Sequence, residues 1–262
     1  MFYWIYDHPT GYIGALFAFV FVATTSLGIL FFRRRLRSWI HSERRANDMI
    51  ALTLATVSVL YGLLLGLLAV GTYQNFSSVS DIVTREASSL AALYRDLGGY
   101  PQPIRGNLRG KLREYTRDVI EESWPQQRRG IVSRGGSDRI TTFYDELLTY
   151  NPTELSRGIV YAETLRQFNN LVETRRSRLA NVTTGIPAVM WWVVAFGAVI
   201  NIALICMLDM EVQVHLLLGG AISLFLGIVI FMIAALDNPF RGEVSVGPDP
   251  IRLVYETLMN SK

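Results

Sequence analysis

The sequence predicts an all-α, four-span helical membrane protein, built as two transmembrane hairpins with a helical extramembrane domain between spans 2 and 3. Three observations predict it. Four windows, 11–32, 50–73, 186–208 and 214–236, contain no Asp, Glu, Lys or Arg and hold 22, 24, 23 and 23 residues. At 1.5 Å rise per residue, about 20 apolar residues cross a hydrocarbon core of about 30 Å. The 25 Lys+Arg and 22 Asp+Glu all fall in the other 170 residues. Finally, the 112 residues 74–185 are polar yet carry apolar positions at helical spacing, and no stretch alternates with period two long enough for a strand.

This composition excludes several classes. Four spans rule out a simple soluble enzyme. The lone Cys206 lies inside a span, which rules out a disulfide scaffold. A net charge of only +3 argues against nucleic acid as a partner.

Residues 1–73 form the first hairpin (spans 11–32 and 50–73). The first window is too long for a signal peptide and is followed by arginines, so it reads as a retained anchor. The loop 33–45 holds Arg33, Arg34, Arg35, Arg37, Arg44 and Arg45 beside Trp39, a composition suited to anionic lipid. Span 2 has no stop at Tyr73. Val79, Val83, Ala87, Leu90, Leu93 and Leu97 keep its helical spacing, which predicts one helix running on to Gly98-Gly99.

The extramembrane domain covers 74–185. Pro101 and Pro103 break the chain; Ile104, Leu108, Leu112, Tyr115 and Val119 then predict an amphipathic helix ending near Trp124-Pro125. Arg128–Asp138 reads as a loop, Ile140–Leu148 as a short helix, and Thr153–Asn181 as a long one. Spans 186–208 and 214–236 make the second hairpin (186–236), and 237–262 is a C-terminal tail.

Basic residues prefer the cytoplasmic side of a membrane. The first loop and the turn 209–213 carry six; the other side carries seven. The density of the first loop favours placing it inside, but the totals do not choose an orientation.

The chemistry-bearing residues give no catalytic pattern. His8, His41 and His215 lack metal-ligand spacing, and no phosphate-binding glycine loop is present. No metal site and no cofactor are expected, and the protein is not expected to be an enzyme. In span 2, Gly62-x-x-x-Gly66 is a small-residue pattern for close helix packing. The opposite face carries Leu60, Leu64, Leu67 and Gly71, then Gln74. In a ring of copies that face would line a narrow apolar constriction, which can gate by dewetting; packing against lipid or another helix is the plainer reading. Asp209 and Glu211 in the 209–213 turn would attract cations at a pore mouth, or simply keep the turn in water. Asn201 sits at membrane depth and should form an interhelical hydrogen bond.

Two stretches carry a family resemblance. One runs from Asn47-Asp48 through Leu60-Tyr61-Gly62 and Glu86-Ala87 to Leu93-Tyr94-Arg95. The other is Leu236-Asp237-Asn238-Pro239-Phe240-Arg241-Gly242-Glu243-Val244-Ser245-Val246. With the two-plus-two layout, the chain resembles the bacterial bestrophin-like membrane proteins. Bestrophins proper are pentameric ion channels whose second span lines a hydrophobic neck. The resemblance implies a multi-pass protein of the bacterial inner membrane that assembles with itself, pentamer favoured, and conducts small ions passively, with its helical domain cytoplasmic. It carries the neck to Leu60, Leu64 and Leu67 by helical phase, since the neck phenylalanines are missing. The tail of bestrophins proper helps form a calcium clasp. Here Asp237, Asn238, Pro239, Phe240 and Glu243 stand in that region, but Arg241 interrupts it, and calcium needs six to eight oxygens. A non-conducting scaffold or sensor whose helical domain binds a partner protein is the second reading.

Overall fold

The computed structural model describes residues 3–40, 45–132 and 135–260, with the side chains of 33–40 left aside. The expected lipid contact of loop 33–45 therefore lies outside the described side chains, Arg45 excepted. Among the described residues every regular element is a helix and none is a strand. The chain divides into two bodies.

The first body comprises Met1–Gln74, Gly185–Asp237 and Gly242–Val244. Its helices are α1 (Thr10–Ile40), the first part of α2 (Ala46–Asp96), α7 (Ala188–Met207) and α8 (Val212–Leu236). All four are long and apolar enough to cross a membrane. α7 begins two residues later than the charge-free window, because Pro187 is extended (φ −53°, ψ 141°) and the helix can only start after it. α8 begins at Val212, so the turn before it is shorter than 209–213.

Close packing in this body runs along α8. Gly219, Ser223 and Gly227 recur every four residues and face α1. A Cβ on Gly227 would stand 3.1 Å from the Phe17 carbonyl oxygen, and one on Gly219 would stand 3.0 Å from Ile29 Cδ1. Between them the Thr25 and Ser223 hydroxyls meet at 2.5 Å, both fully buried. Such small-residue stripes let membrane helices approach where lipid supplies no hydrophobic drive. Much of the outer surface is apolar and exposed, as at Phe19, Phe31, Val59 and Leu217. Lipid or other helices must cover those groups.

The second body comprises Asn75–Thr184, Asn238–Arg241 and Ser245–Lys262. It contains the rest of α2 to Asp96, α3 (Ile104–Asp118), α4 (Trp124–Gln127), α5 (Gly135–Leu148), α6 (Leu155–Ala180) and α9 (Asp249–Val254). α2 gives way to a 3-10 turn at Leu97–Gly99, where the sequence predicts its end. Val79, Val83, Leu90 and Leu93 of α2 pack with Leu108, Leu112 and Tyr115 of α3, Phe143 and Leu147 of α5, and Leu171 of α6. Each such fully buried side chain contributes roughly 1.5–3 kcal/mol.

Three boundaries differ from expectation. Trp124-Pro125 does not end the α3 helix; a π turn (Val119–Ser123) carries it into α4, with Pro125 in the first turn. Proline is tolerated there because the π turn has already interrupted the regular i→i−4 ladder, so Pro125 removes no ordinary α-helical bond. α5 starts at Gly135 inside the expected loop. Its glycines fall in the first turn, Asp138 suits the helix dipole, and Ser137 Oγ accepts from Arg175 Nη2 at 3.0 Å. The tail adds α9, again with proline in the first turn, and buries Ile251 and Met259.

Candidate functional site

α2 carries the residues singled out for function. In the first body one side of it is anchored. Tyr61 and Leu65 are buried with Val194, Ala198 and Leu226. The Tyr61 hydroxyl donates to the Val194 carbonyl at 2.7 Å, and its ring fills the place of a side chain at Gly197, where a Cβ would lie 2.3 Å away. One turn earlier Ser58 Oγ donates to Asn201 Oδ1 at 2.7 Å, while Asn201 Nδ2 donates to the Gly197 carbonyl at 2.9 Å. Asn201 thus makes the interhelical bond its depth demands.

The opposite side is open. Leu60 is 63% exposed and Leu67 65%, and Gly71 and Gln74 are exposed with them. Leu64 departs from this group: it is half-buried and packs on the first body's own core. Its helical phase lies nearest the anchored side, a difference that a stripe drawn by spacing alone does not resolve. Gly62 and Gly66 are exposed, and no described atom lies within 4 Å of a Cβ built on either. Among the described residues, therefore, no helix of the same protomer fills their groove. The intraprotomer close packing falls instead on Gly197 and on the Gly219-x-x-x-Ser223-x-x-x-Gly227 stripe. That spacing was the signal by which the sequence could have revealed it.

The turn between α7 and α8 is pinned from α2. Asn47 Oδ1 accepts from the Asp209 N–H at 2.9 Å and Asn47 Nδ2 donates to the Asp209 carbonyl at 3.4 Å. His215 is buried and its Nε2 pairs with the Ile205 carbonyl at 2.8 Å, closing the turn from the other side. Asp209 is half-buried and Glu211 exposed.

The tail motif divides between the two bodies. In the first, the Asp237 carboxylate accepts the Ile186 N–H at 2.5 Å, and burial raises its pKa above the usual Asp range, against the lowering effect of that bond. Glu243 accepts the Thr10 N–H at the start of α1 at 2.9 Å, which lowers its pKa. In the second, Phe240 packs on Trp124 with ring centroids 5.7 Å apart, and the Asn238-Pro239 corner is closed by Val246 N–H donating to the Pro239 carbonyl at 2.7 Å. A calcium site does not fit this donor set. The two carboxylates serve different helix starts, and among the described residues no three His, Cys, Asp or Glu converge.

Sequence reasoning missed the polar centre of the second body. Glu86 of α2 is 0% exposed and Arg178 of α6 1%. Arg178 Nε and Nη2 donate to the two Glu86 carboxylate oxygens at 2.5 and 3.0 Å. Arg178 also donates to Gln127, lies over the Trp124 ring at 5.1 Å, and Tyr115 Oη donates to Glu86 at 3.5 Å. Burial works against the guanidinium charge, but the Glu86 charge and bonds outweigh it and raise the Arg178 pKa. Burial, with the Glu86 charge behind it, raises the Tyr115 pKa and keeps the phenol neutral.

Residues 19–251 match the family model of the Bestrophin-like domain. No curated protein matches the chain. In structure it is similar to a bacterial bestrophin homologue from Klebsiella pneumoniae, with TM-score 0.65 at 12% identity, covering 94% of this chain and 96% of that one. A single-residue variant of that homologue gives TM-score 0.66 at 12% identity, over 93% and 94%. At this identity the likeness speaks for the fold.

Proposed function

Because the chain belongs to the Bestrophin-like family, we propose that it is one subunit of a homo-oligomeric channel, pentamer favoured, that conducts small ions passively through a pore lined by α2. The observation that carries this reading is the pairing of two uncovered features on one membrane helix. Leu60, Leu67, Gly71 and Gln74 form an exposed stripe, and Gly62 and Gly66 leave an open groove on another face of the same helix. A glycine inside a helix is less favourable than alanine by about 1 kcal/mol. In a membrane helix, glycines at this spacing gain by letting a second helix approach. Among the described residues no helix of the same protomer takes that place, which favours a second copy. The leucine stripe would then form the narrow apolar part of the conduit, in the bacterial inner membrane, with the helical domain on the cytoplasmic side and Asp209 and Glu211 at the opposite mouth.

The test is current through the purified, oligomeric protein in planar bilayers, together with its mass in detergent. Leu67→Ser and Leu60→Ser should raise conductance, because a polar ring holds water where leucine expels it. Leu64→Ser should act less on conductance and more on stability, since Leu64 packs on the protomer core. A protein that assembles but passes no current at any voltage or pH is the non-conducting scaffold instead.

A further inference from the structure

α2 is one helix from Ala46 to Asp96, so its phase can be followed into the second body. There Val79, Val83, Glu86, Ala87, Leu90 and Leu93 are buried on one side. Ser77, Ser78, Asp81, Thr84, Arg85 and Ser88 are exposed on the other. At about 100° per residue, Ser78, Asp81 and Arg85 fall on the phase of Leu60, Leu67 and Gln74. The stripe that is leucine-rich in the first body therefore becomes hydroxyl-rich and charged in the second.

We propose that Asp81 and Arg85 set the charge selectivity of the conduit. This rests on the channel reading above. The physical case is a matter of distance. Asp81 and Arg85 are four residues apart, so their rings in an oligomer are separated by about 6 Å along the helix. That is shorter than the screening length of about 8 Å at physiological salt. Each ring then lies inside the other's field, and opposite charges in equal number largely cancel. An ion passing this stretch meets hydroxyls and a nearly balanced field, so the wild-type conduit discriminates weakly between anions and cations. Removing either charge leaves the other uncompensated, and a ring of like charges concentrates the counter-ion and repels the co-ion.

The experiment is the reversal potential of purified full-length protein in bilayers under a potassium chloride gradient. Asp81→Asn should raise the anion-to-cation permeability ratio by about twofold or more, and Arg85→Gln should lower it by a similar factor. The double variant should return it close to wild type. Asp81→Glu and Arg85→Lys keep the charges and should leave the ratio unchanged, which separates charge from folding. Arg157→Gln, on α6, is the control for a charge elsewhere on the same body. Channels that conduct and respond to Leu67→Ser but show no opposite shifts overturn this assignment and leave the channel reading standing. Absence of current in the assembled wild type overturns both.

Discussion

The ion pair at the centre of the helical body should be a stability determinant whose removal is asymmetric. Glu86→Gln keeps the shape of the side chain but removes its charge, leaving a guanidinium that is 1% exposed without the carboxylate charge that pairs it. Breaking a buried pair from one side costs about 3–5 kcal/mol, because the surviving charge is stranded away from water. A domain of this kind is stable by about 5–15 kcal/mol in all, so the loss is a large share of the total. Arg178→Met strands the Glu86 carboxylate and should cost a similar amount. Glu86→Leu with Arg178→Met removes both charges and leaves the Tyr115 hydroxyl and the Gln127 amide short of partners. That should cost about 1–3 kcal/mol, less than either single change. Hydrogen exchange in detergent reads this directly at the α2 amides around Val83–Leu93 and the α6 amides around Leu171–Leu179. With about 1.4 kcal/mol per tenfold, each single variant should exchange about a hundredfold faster or more. If the singles cost under about 1 kcal/mol, or the double costs their sum, the pair is not the keystone its burial implies.

Three further predictions concern packing and pH. Gly197→Ala should destabilise the first body, since its Cβ would lie 2.3 Å from the Tyr61 ring; adding Tyr61→Leu should recover part of the loss, read as thermal retention of the detergent-solubilised peak. Gly227→Leu should be worse tolerated than Gly220→Leu, because a Cβ at 227 meets α1 backbone at 3.1 Å whereas one at 220 meets nothing described within 4 Å. Asp96 has a carboxylate oxygen buried without a hydrogen-bond partner among the described residues, and burial and then the Glu163 charge raise its pKa above the ordinary 3.8, with Arg166 opposing. A folded acid with a raised pKa holds its proton more tightly than the unfolded chain does. Its contribution is therefore most favourable below 3.8 and is lost as pH rises through the folded value. Asp96→Asn should accordingly be more stable than wild type at pH 7, with the difference vanishing as the pH falls below the unfolded value; a constant difference across that range would count against the titration.

Much of the fold is legible in sequence because the bilayer is an unforgiving solvent. A charge costs so much at membrane depth that four charge-free windows locate α1, α7, α8 and the first half of α2 directly. The continuation of α2 to Asp96 is legible because Val79, Val83, Leu90 and Leu93 hold one phase beyond the membrane. The missed boundaries share a cause. Pro125 and Gly135 both read as breakers, yet Pro125 follows a π turn that has already interrupted the α ladder, and Gly135 stands in a first helical turn, where a breaker is tolerated. The Glu86–Arg178 pair was not legible because its partners are 92 residues apart in sequence and no local period reports such a meeting.

Small residues every four positions mark a helix that something approaches closely; they do not say whether the approaching helix belongs to the same chain. Gly62 and Gly66 on α2 have the same spacing as Gly219, Ser223 and Gly227 on α8, and sequence alone ranks the two alike. The difference lies in what reaches them. α8's stripe meets α1 through Phe17, Thr25 and Ile29, so its glycines are accounted for within the protomer. The α2 pair meets nothing described, although the same helix is held on its other side by Tyr61, Ser58 and Leu65. Anchorage on one side and an open glycine groove on the other are what a helix needs to face both its own bundle and a neighbour's. If Gly62→Leu and Gly66→Leu leave the assembled mass unchanged while Gly227→Leu disrupts the protomer, α2 does not meet its own copies through this groove. If they dissociate the assembly and spare the protomer's secondary structure, the groove is the surface through which the subunits meet.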